Sequence, residues 1–139
     1  MINGLMGSVR KWHEAAGIEN KDKPELPDID TQTLRKDLLG EEWMEYLEAE
    51  LNSDIVGIAD ALGDMMYVIA GTALAYGINL NDVVEEICRS NDTKVTGGKI
   101  LRREDGKILK PDTYEKPDLY RVLFYNSAGN VMNRIKQDA

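Results

Sequence analysis

The 139-residue sequence predicts an all-α fold: a four-helix-bundle-type core with a small C-terminal β-hairpin and a tail, assembled as an oligomer. Three observations predict it. Apolar residues recur at helical spacing through four successive stretches before residue 96. The third stretch, Asp54 to Gly77, is apolar on nearly every side, as interior helices are, and one short chain offers it few partners. The link between the second and third stretches, Asn52-Ser53-Asp54, is short enough to make antiparallel neighbours of the helices it joins.

In order, Met1 to Ala16 reads as an amphipathic helix with Ile2, Leu5, Val9 and Trp12 on one side and a stop at Gly17. His13, the single histidine, suits a packed or capping role beside Trp12 better than catalysis, and one histidine cannot make a zinc site. Residues 18–30 are polar with two prolines and read as a loop. A calcium loop starting at Asp28 is excluded, since it would lack its glycine and place Leu39 at the ligating twelfth position. Asp30 or Thr31 then caps a second helix through Leu34, Leu38, Leu39, Trp43, Leu47 and Leu51.

On the third helix Ile55, Ile58, Leu62, Met66, Ile69 and Ala73 form one stripe, with Asp60, Asp64, Tyr67 and Gly71 roughly opposite. Gly77 is its C-cap. A fourth helix begins between Asn79 and Asp82, with Val83, Val84, Ile87 and Cys88 inward and Glu85 and Glu86 in its early turns. It ends in RSNDTK, where Arg89, Asn91 and Lys94 suit either C-terminal capping or phosphate contacts. From Thr96 the pattern changes: GKIL at 98–101 and again at 106–109 flanks an Asp-Gly turn, which predicts a hairpin within 96–110. Gly97-Gly98 lacks the strand-to-helix context of a phosphate loop and reads as a turn. Lys99, Arg102, Arg103, Lys107 and Lys110 make this the basic patch of the chain, either a solvated hairpin or a lid over an anionic substrate. Pro111 to Asp118 is extended and carries Tyr114. We expect a main domain over 1–118 and a C-terminal extension over 119–139, weakly alternating around a Gly129-Asn130 turn that suits either a further hairpin or packing on a partner subunit.

The chemistry lies in two acidic groups, Glu41, Glu42 and Glu45 on the second helix and Asp60 and Asp64 on the third. Counted from Ser53, the glutamates lie eight to twelve residues before and the aspartates seven and eleven after, so antiparallel helices set them at one height. A dehydrated carboxylate costs several kcal/mol unless paired or metal-bound. Acids cannot neutralise acids, so if the groups face each other a cation must lie between them, and oxygen-only ligands suit Mg²⁺ or Mn²⁺. Acid pairs at these spacings also occur on solvated helices, where they cost only about 0.2–0.5 kcal/mol. The combination on consecutive helices is what favours a site.

Composition bounds the rest. The length suits one ordinary domain, and 42% hydrophobic with 30% charged residues describes a soluble globular chain. A net charge of −8 argues against general nucleic-acid binding, while leaving triphosphates accessible through metal ions. Cys88 has no partner for an intrachain disulfide, which points to a reducing compartment, and its helix pattern to the core. No run approaches a membrane span and the N-terminus carries no signal h-region; a cytoplasmic protein is expected, host-cytoplasmic if viral.

EExxE on one helix, an acidic pair ending in Asp and followed by an apolar run and Tyr on the next, a helix ending in SNxxK and a GKxxK hairpin together resemble the all-α nucleoside triphosphate pyrophosphatases. This is the MazG-like group, related to phosphoribosyl-ATP pyrophosphohydrolases and dimeric dUTPases, and the resemblance spans roughly Val9 to Asp118. It implies metal-binding glutamates at Glu41, Glu42 and Glu45 and the essential acid of the following helix at Asp64. Many members carry Glu three residues before that Asp, where this chain has Ala61, with Asp60 as the nearest substitute ligand. The resemblance further implies Mg²⁺-dependent hydrolysis of a nucleoside or deoxynucleoside triphosphate between its α and β phosphates, with Glu41 or Glu42 orienting the attacking water. Asn91, Lys94 and the hairpin cations, Lys110 among them, would meet the phosphates, and Trp12, His13, Tyr67 and Tyr114 would be available to the base. It implies a homodimer or homotetramer. Phosphoribosyl-ATP hydrolysis and a non-catalytic acidic interaction module are the competing readings.

Overall fold

Each predicted helix forms, and the ends are set by local chemistry. In the computed structural model, which describes residues 2–125, α1 (Asn3–Ala16), α2 (Ile29–Leu51), α3 (Ile55–Tyr76) and α4 (Leu80–Asp92) precede a two-stranded hairpin, β1 (Val95–Thr96) with β2 (Lys99–Ile100), and a short α5 (Leu119–Phe124). α1 stops where Gly17 turns left-handed at φ 72° and Ile18 N–H returns to the His13 carbonyl. α2 starts two to three residues earlier than a cap at Asp30 or Thr31 would allow. Its cap is Asp28, whose carboxylate accepts from Thr31 N–H at 2.7 Å, leaving Asp30 free to face the positive helix terminus from within the first turn. Asp54 caps α3 in the same way through Gly57 N–H.

The chain divides into two compact units, Met1–Leu80 and Asn81–Ala139. In the first, α3 packs against both α2 and α1. Val9, Ala70 and Leu74 are its buried centre, with Leu5, Met6 and Tyr67 around them. The loop of residues 18–28 closes the lower end of α3: Lys21 N–H donates to the Leu74 carbonyl and Glu25 N–H to that of Tyr76, groups that a helix end otherwise leaves unpaired. Small residues permit these approaches. A Cβ at Gly77 would overlap the Lys23 carbonyl oxygen, and Gly77 has φ 69°.

The upper half of α3 differs from the interior helix that its composition predicts. Ile55 is 74% exposed, and Val56, Leu62 and Met66 are exposed with it; on α2, Leu51 is 85% exposed, and Leu34, Trp43, Met44 and Leu47 are also open. Within the first unit no further helix covers these faces. α3 is also long and apolar enough, by length and composition, to cross a membrane, which corrects the reading that no run approaches a span. Asp60 and Asp64 break the continuity of the run without lowering its mean hydropathy enough, and their presence together with the packed residues Ala70 to Ala75 favours a helix seated in protein.

In the second unit, Glu86 is 4% exposed on α4 and gathers the chain that follows. Arg89 grips it with two bonds of 2.8 and 2.9 Å, Arg121 adds a third at 3.2 Å, and Asp118 N–H donates to it at 2.7 Å. Ser90 Oγ donates to the Glu115 carbonyl and Glu115 N–H to Thr93 Oγ1, which lays residues 113–118 along the helix. Ile87 and Cys88, expected inward, are exposed; the buried positions of α4 are Asn81, Glu86 and Ser90. An ionic hub has displaced the apolar face that periodicity alone suggests. The hairpin also shifts. Gly97 and Gly98, both at positive φ, form the two-residue turn that pairs Val95 with Ile100, whereas the two GKIL segments meet through the Arg102–Ile108 bridge and the Leu109 N–H bond to Leu101. Residues 119–124 are helical rather than part of a hairpin, and the Gly129-Asn130 turn lies outside the described residues.

Two predictions follow from this packing. Gly77→Ala should lower Tm clearly more than Gly17→Ala, since both pay about 1 kcal/mol for a left-handed alanine but only Gly77 meets backbone; equal Tm losses would contradict the Lys23 approach. Arg89, then the Asp118 N–H, hold the Glu86 pKa down to about 2 from 4.5, against the opposing effect of burial. A depressed carboxyl stabilises above its unfolded value and loses that contribution as pH falls through its folded one. Hydrogen exchange at residues 115–121 should therefore stay protected down to about pH 4.5 and loosen progressively toward about pH 2, while Glu86→Gln should loosen the same amides at neutral pH.

Candidate functional site

The short link of Asn52 to Asp54 folds α3 back on α2, with Ser53 at φ 51° making the tight reversal. Glu42, Glu45 and Asp64 then converge: one carboxylate oxygen from each lies within 4.8 Å of the others. Glu42 is half-buried, and its Oε2 is enclosed without a hydrogen-bond partner among the described residues. Burial pushes the Glu42 carboxyl above the usual carboxylate range, and the neighbouring Glu45, Asp64 and Asp60 push it further the same way. Three hard oxygen donors, mutually repulsive and with one oxygen enclosed and unsatisfied, fit a small divalent cation.

The other acids differ in placement. Asp60 is exposed and stands outside the trio, close enough to act on Glu42 through space. Glu41 is exposed and also outside it. Ala61 is buried in the packing, so the position where the resembled enzymes carry Glu contributes a methyl group to the core and no ligand.

Below the acids, the same face of α3 carries Tyr67 and Gly71. Tyr67 meets Trp12 edge-on at 6.3 Å between ring centroids. His13 is 2% exposed and its Nδ1 pairs with Asn20 Oδ1 at 2.8 Å, which is the packed role. In the second unit, Lys94 and Lys110 each place Nζ over the Tyr114 ring, 5.6 and 5.1 Å from its centroid. Asn91 is exposed, with its amide turned back to the Ile87 carbonyl at 3.1 Å.

Two buried charges escaped the sequence. Glu86 was read as an early-turn acid, although Arg89 one turn on was the available signal. Arg35, 6% exposed, donates from Nε to Thr72 Oγ1 at 3.1 Å and from Nη2 to the Val68 carbonyl at 2.9 Å. Its spacing of seven residues before Glu42 places it on the acid-bearing face of α2, a signal that apolar periodicity passes over.

Comparison with curated proteins finds no match. The family model for phosphoribosyl-ATP pyrophosphohydrolase matches residues 9–91, more than half of the chain, and that span contains Glu42, Glu45 and Asp64. With the helical architecture and the convergent carboxylates, the chain belongs to the phosphoribosyl-ATP pyrophosphohydrolase family, within the MazG-like all-α NTP pyrophosphatase superfamily, and is a nucleotide pyrophosphohydrolase acting on an acid anhydride.

Proposed function

We propose that this enzyme hydrolyses a nucleoside or deoxynucleoside triphosphate between the α and β phosphates, releasing the monophosphate and pyrophosphate, with Mg²⁺ held by Glu42, Glu45 and Asp64 and Mn²⁺ able to replace it. The observation that carries this is the carboxylate trio with its enclosed, unsatisfied Glu42 oxygen. When bound, the ion supplies charge neutralisation to the polyphosphate and acidifies water. The chain's own groups do the rest. Asp60 adds negative potential at the rim of the cluster. Glu41, exposed and one turn before Glu45, orients the attacking water with Glu42 and receives its proton as oxygen bonds to phosphorus and the anhydride bond breaks. Lys94 and Lys110, seated on Tyr114, take outer phosphate oxygens, with Asn91 as a neutral donor once its amide leaves Ile87. Trp12 and Tyr67 offer the base an aromatic edge.

The working form is a homodimer or a dimer of dimers in the cytoplasm, and a second copy covers the exposed apolar residues of α2 and α3. No role for nucleic acid or a membrane is proposed. A second reading, phosphoribosyl-ATP as substrate, is favoured by the description of the matching family.

A nucleotide panel that includes phosphoribosyl-ATP, assayed for pyrophosphate with Mg²⁺, decides between the two. Turnover of nucleoside triphosphates is expected; turnover of phosphoribosyl-ATP alone would select the second reading, and turnover of neither would refute both. Mg²⁺ at a hundredfold excess over its Kd should add about 2.7 kcal/mol of stability, seen as a rise in Tm of several degrees. Asp64→Asn should abolish that rise, cut turnover more than about 100-fold, and leave the metal-free Tm unchanged or higher because one like charge is gone. Wild-type turnover by this variant would remove Asp64 from the mechanism. In sedimentation, a double variant Leu51→Glu and Ile55→Lys should shift the protein toward monomer; an unchanged oligomer would place the interface elsewhere.

A further inference from the structure

Arg35 is a cation in the seam between α2 and α3, and among the described residues no carboxylate pairs with it. Burial pushes its guanidinium below the usual arginine range, with Tyr76 the one neighbouring group acting to raise it. A burial of this kind opposes folding unless the fork secures something that an apolar side chain would not. Both of its bonds reach across to α3, one to the Val68 carbonyl and one to Thr72 Oγ1, while Thr72 Oγ1 itself donates to Val68 at 2.8 Å. The three groups close a small ring of directional contacts between the helices.

The position of that ring is informative. Arg35 lies seven residues before Glu42 on α2, and Gly71, beside the ring, lies seven residues after Asp64 on α3. Seven residues are nearly two helical turns, so each returns to its own acid-bearing face, about 10 Å along the axis from the carboxylates. At this level α1 also arrives. A Cβ on Gly71 would come within 2.6 Å of Arg35 Nη2 and 2.9 Å of His13 Nε2, and His13 is held in turn by Asn20. Three helices therefore meet at one polar node whose bonds require a particular axial level. Apolar contacts between helices are nondirectional and tolerate sliding; a two-bond fork onto a carbonyl and a hydroxyl does not.

We infer that Arg35 is a positioning residue for the carboxylate trio: its fork onto Val68 and Thr72 sets the level of α3 against α2 and so brings Asp64 to Glu42 and Glu45. The inference rests on the reading of that trio as a divalent-cation site. His13 and Gly71 serve the same node, which gives the single histidine a place in the site's support without any contact with substrate.

Titrating the full-length protein with Mn²⁺ by electron paramagnetic resonance tests this, with Tm measured alongside. Arg35→Met, which removes the charge and both bonds at similar volume, should keep or raise Tm yet bind Mn²⁺ at least about tenfold more weakly, the scale of loss expected for groups that orient metal ligands. Arg35→Lys should recover part of the affinity, and Gly71→Ala, which crowds the guanidinium without changing it, should lose affinity as Arg35→Met does. Wild-type affinity in Arg35→Met overturns the positioning role, as does a loss that vanishes on cooling well below the variant's Tm, since that marks general loosening. If Arg35→Met does not fold, Arg35→Lys and Thr72→Val carry the test: weaker binding in both supports the role and unchanged binding in both overturns it. A wild type that binds no Mn²⁺ overturns the cation site itself and the inference with it, a result distinct from any difference between variants.

Discussion

Glu42, Glu45 and Asp64 are held together by helix packing that their charges oppose. Two unit charges 4.8 Å apart repel by about 3 kcal/mol at an effective dielectric constant near 20, and by less where, as at Glu45, solvent screens them. Without a cation this repulsion acts to part α2 from α3 at the level of the site. The two helices stay together because the link at Asn52 to Asp54 lies beyond the acids on one side and the Arg35 contacts lie beyond them on the other. The site is spanned by two fasteners, and a divalent ion bound there would convert the mutually repelling middle of the hairpin into its best-paired part.

That arrangement explains the uneven character of α3. Its lower half, Ala70 to Ala75, is buried, and its final carbonyls are tied to the 18–28 loop. Its upper half has the acids on one face and bare hydrocarbon at Ile55, Val56, Leu62 and Met66. Small residues let the lower half approach its neighbours closely. In the upper half the same apolar composition stays exposed among the described residues, hydrocarbon that the proposed second copy would cover. An assembly of this kind would also raise the cost of leaving the carboxylates unpaired, since covering the adjacent hydrocarbon removes water from their surroundings.

How far the sequence could be read follows from which forces are local. The helices, the Gly17 and Gly77 stops and the α2–α3 reversal were legible because caps, turns and 3.6-residue periodicity act within a few residues. The common height of Glu42, Glu45 and Asp64 was legible because a three-residue link makes each position countable from Ser53, whereas their facing one another came only with the packing of α2 on α3. The inward face of α4 was misread, since periodicity points at Ile87 and Cys88 while the burial there is governed by Arg89 and Arg121 closing on Glu86 from positions separated in the chain. Arg35 was invisible for a similar reason: a guanidinium on a polar helix reads as solvated until the carbonyl of Val68 is seen opposite it. The burial of His13 was equally out of reach, because it depends on Gly71 on another helix having no side chain. Polar groups satisfied at long range are the part of a fold that local patterns do not encode.

The second unit handles charge by a different physical route. A chain of net charge −8 repels a polyphosphate at long range, so binding depends on cations concentrated at one place. Lys94 and Lys110 are gathered over one tyrosine ring, where the ring quadrupole offsets their mutual repulsion without neutralising them as a carboxylate would. The ring is supplied by the segment that Glu86, through Arg89, Arg121 and the Asp118 N–H, fastens to α4. Glu86 spends its own charge on arginines that are structural, and among the described residues no carboxylate forms an ion pair with Lys94 or Lys110. Opposite problems are thus solved by matching means: in the first unit a buried arginine, with no carboxylate partner among the described residues, fixes the helices that carry acids, and in the second a buried glutamate fixes the segment that carries the cations' platform.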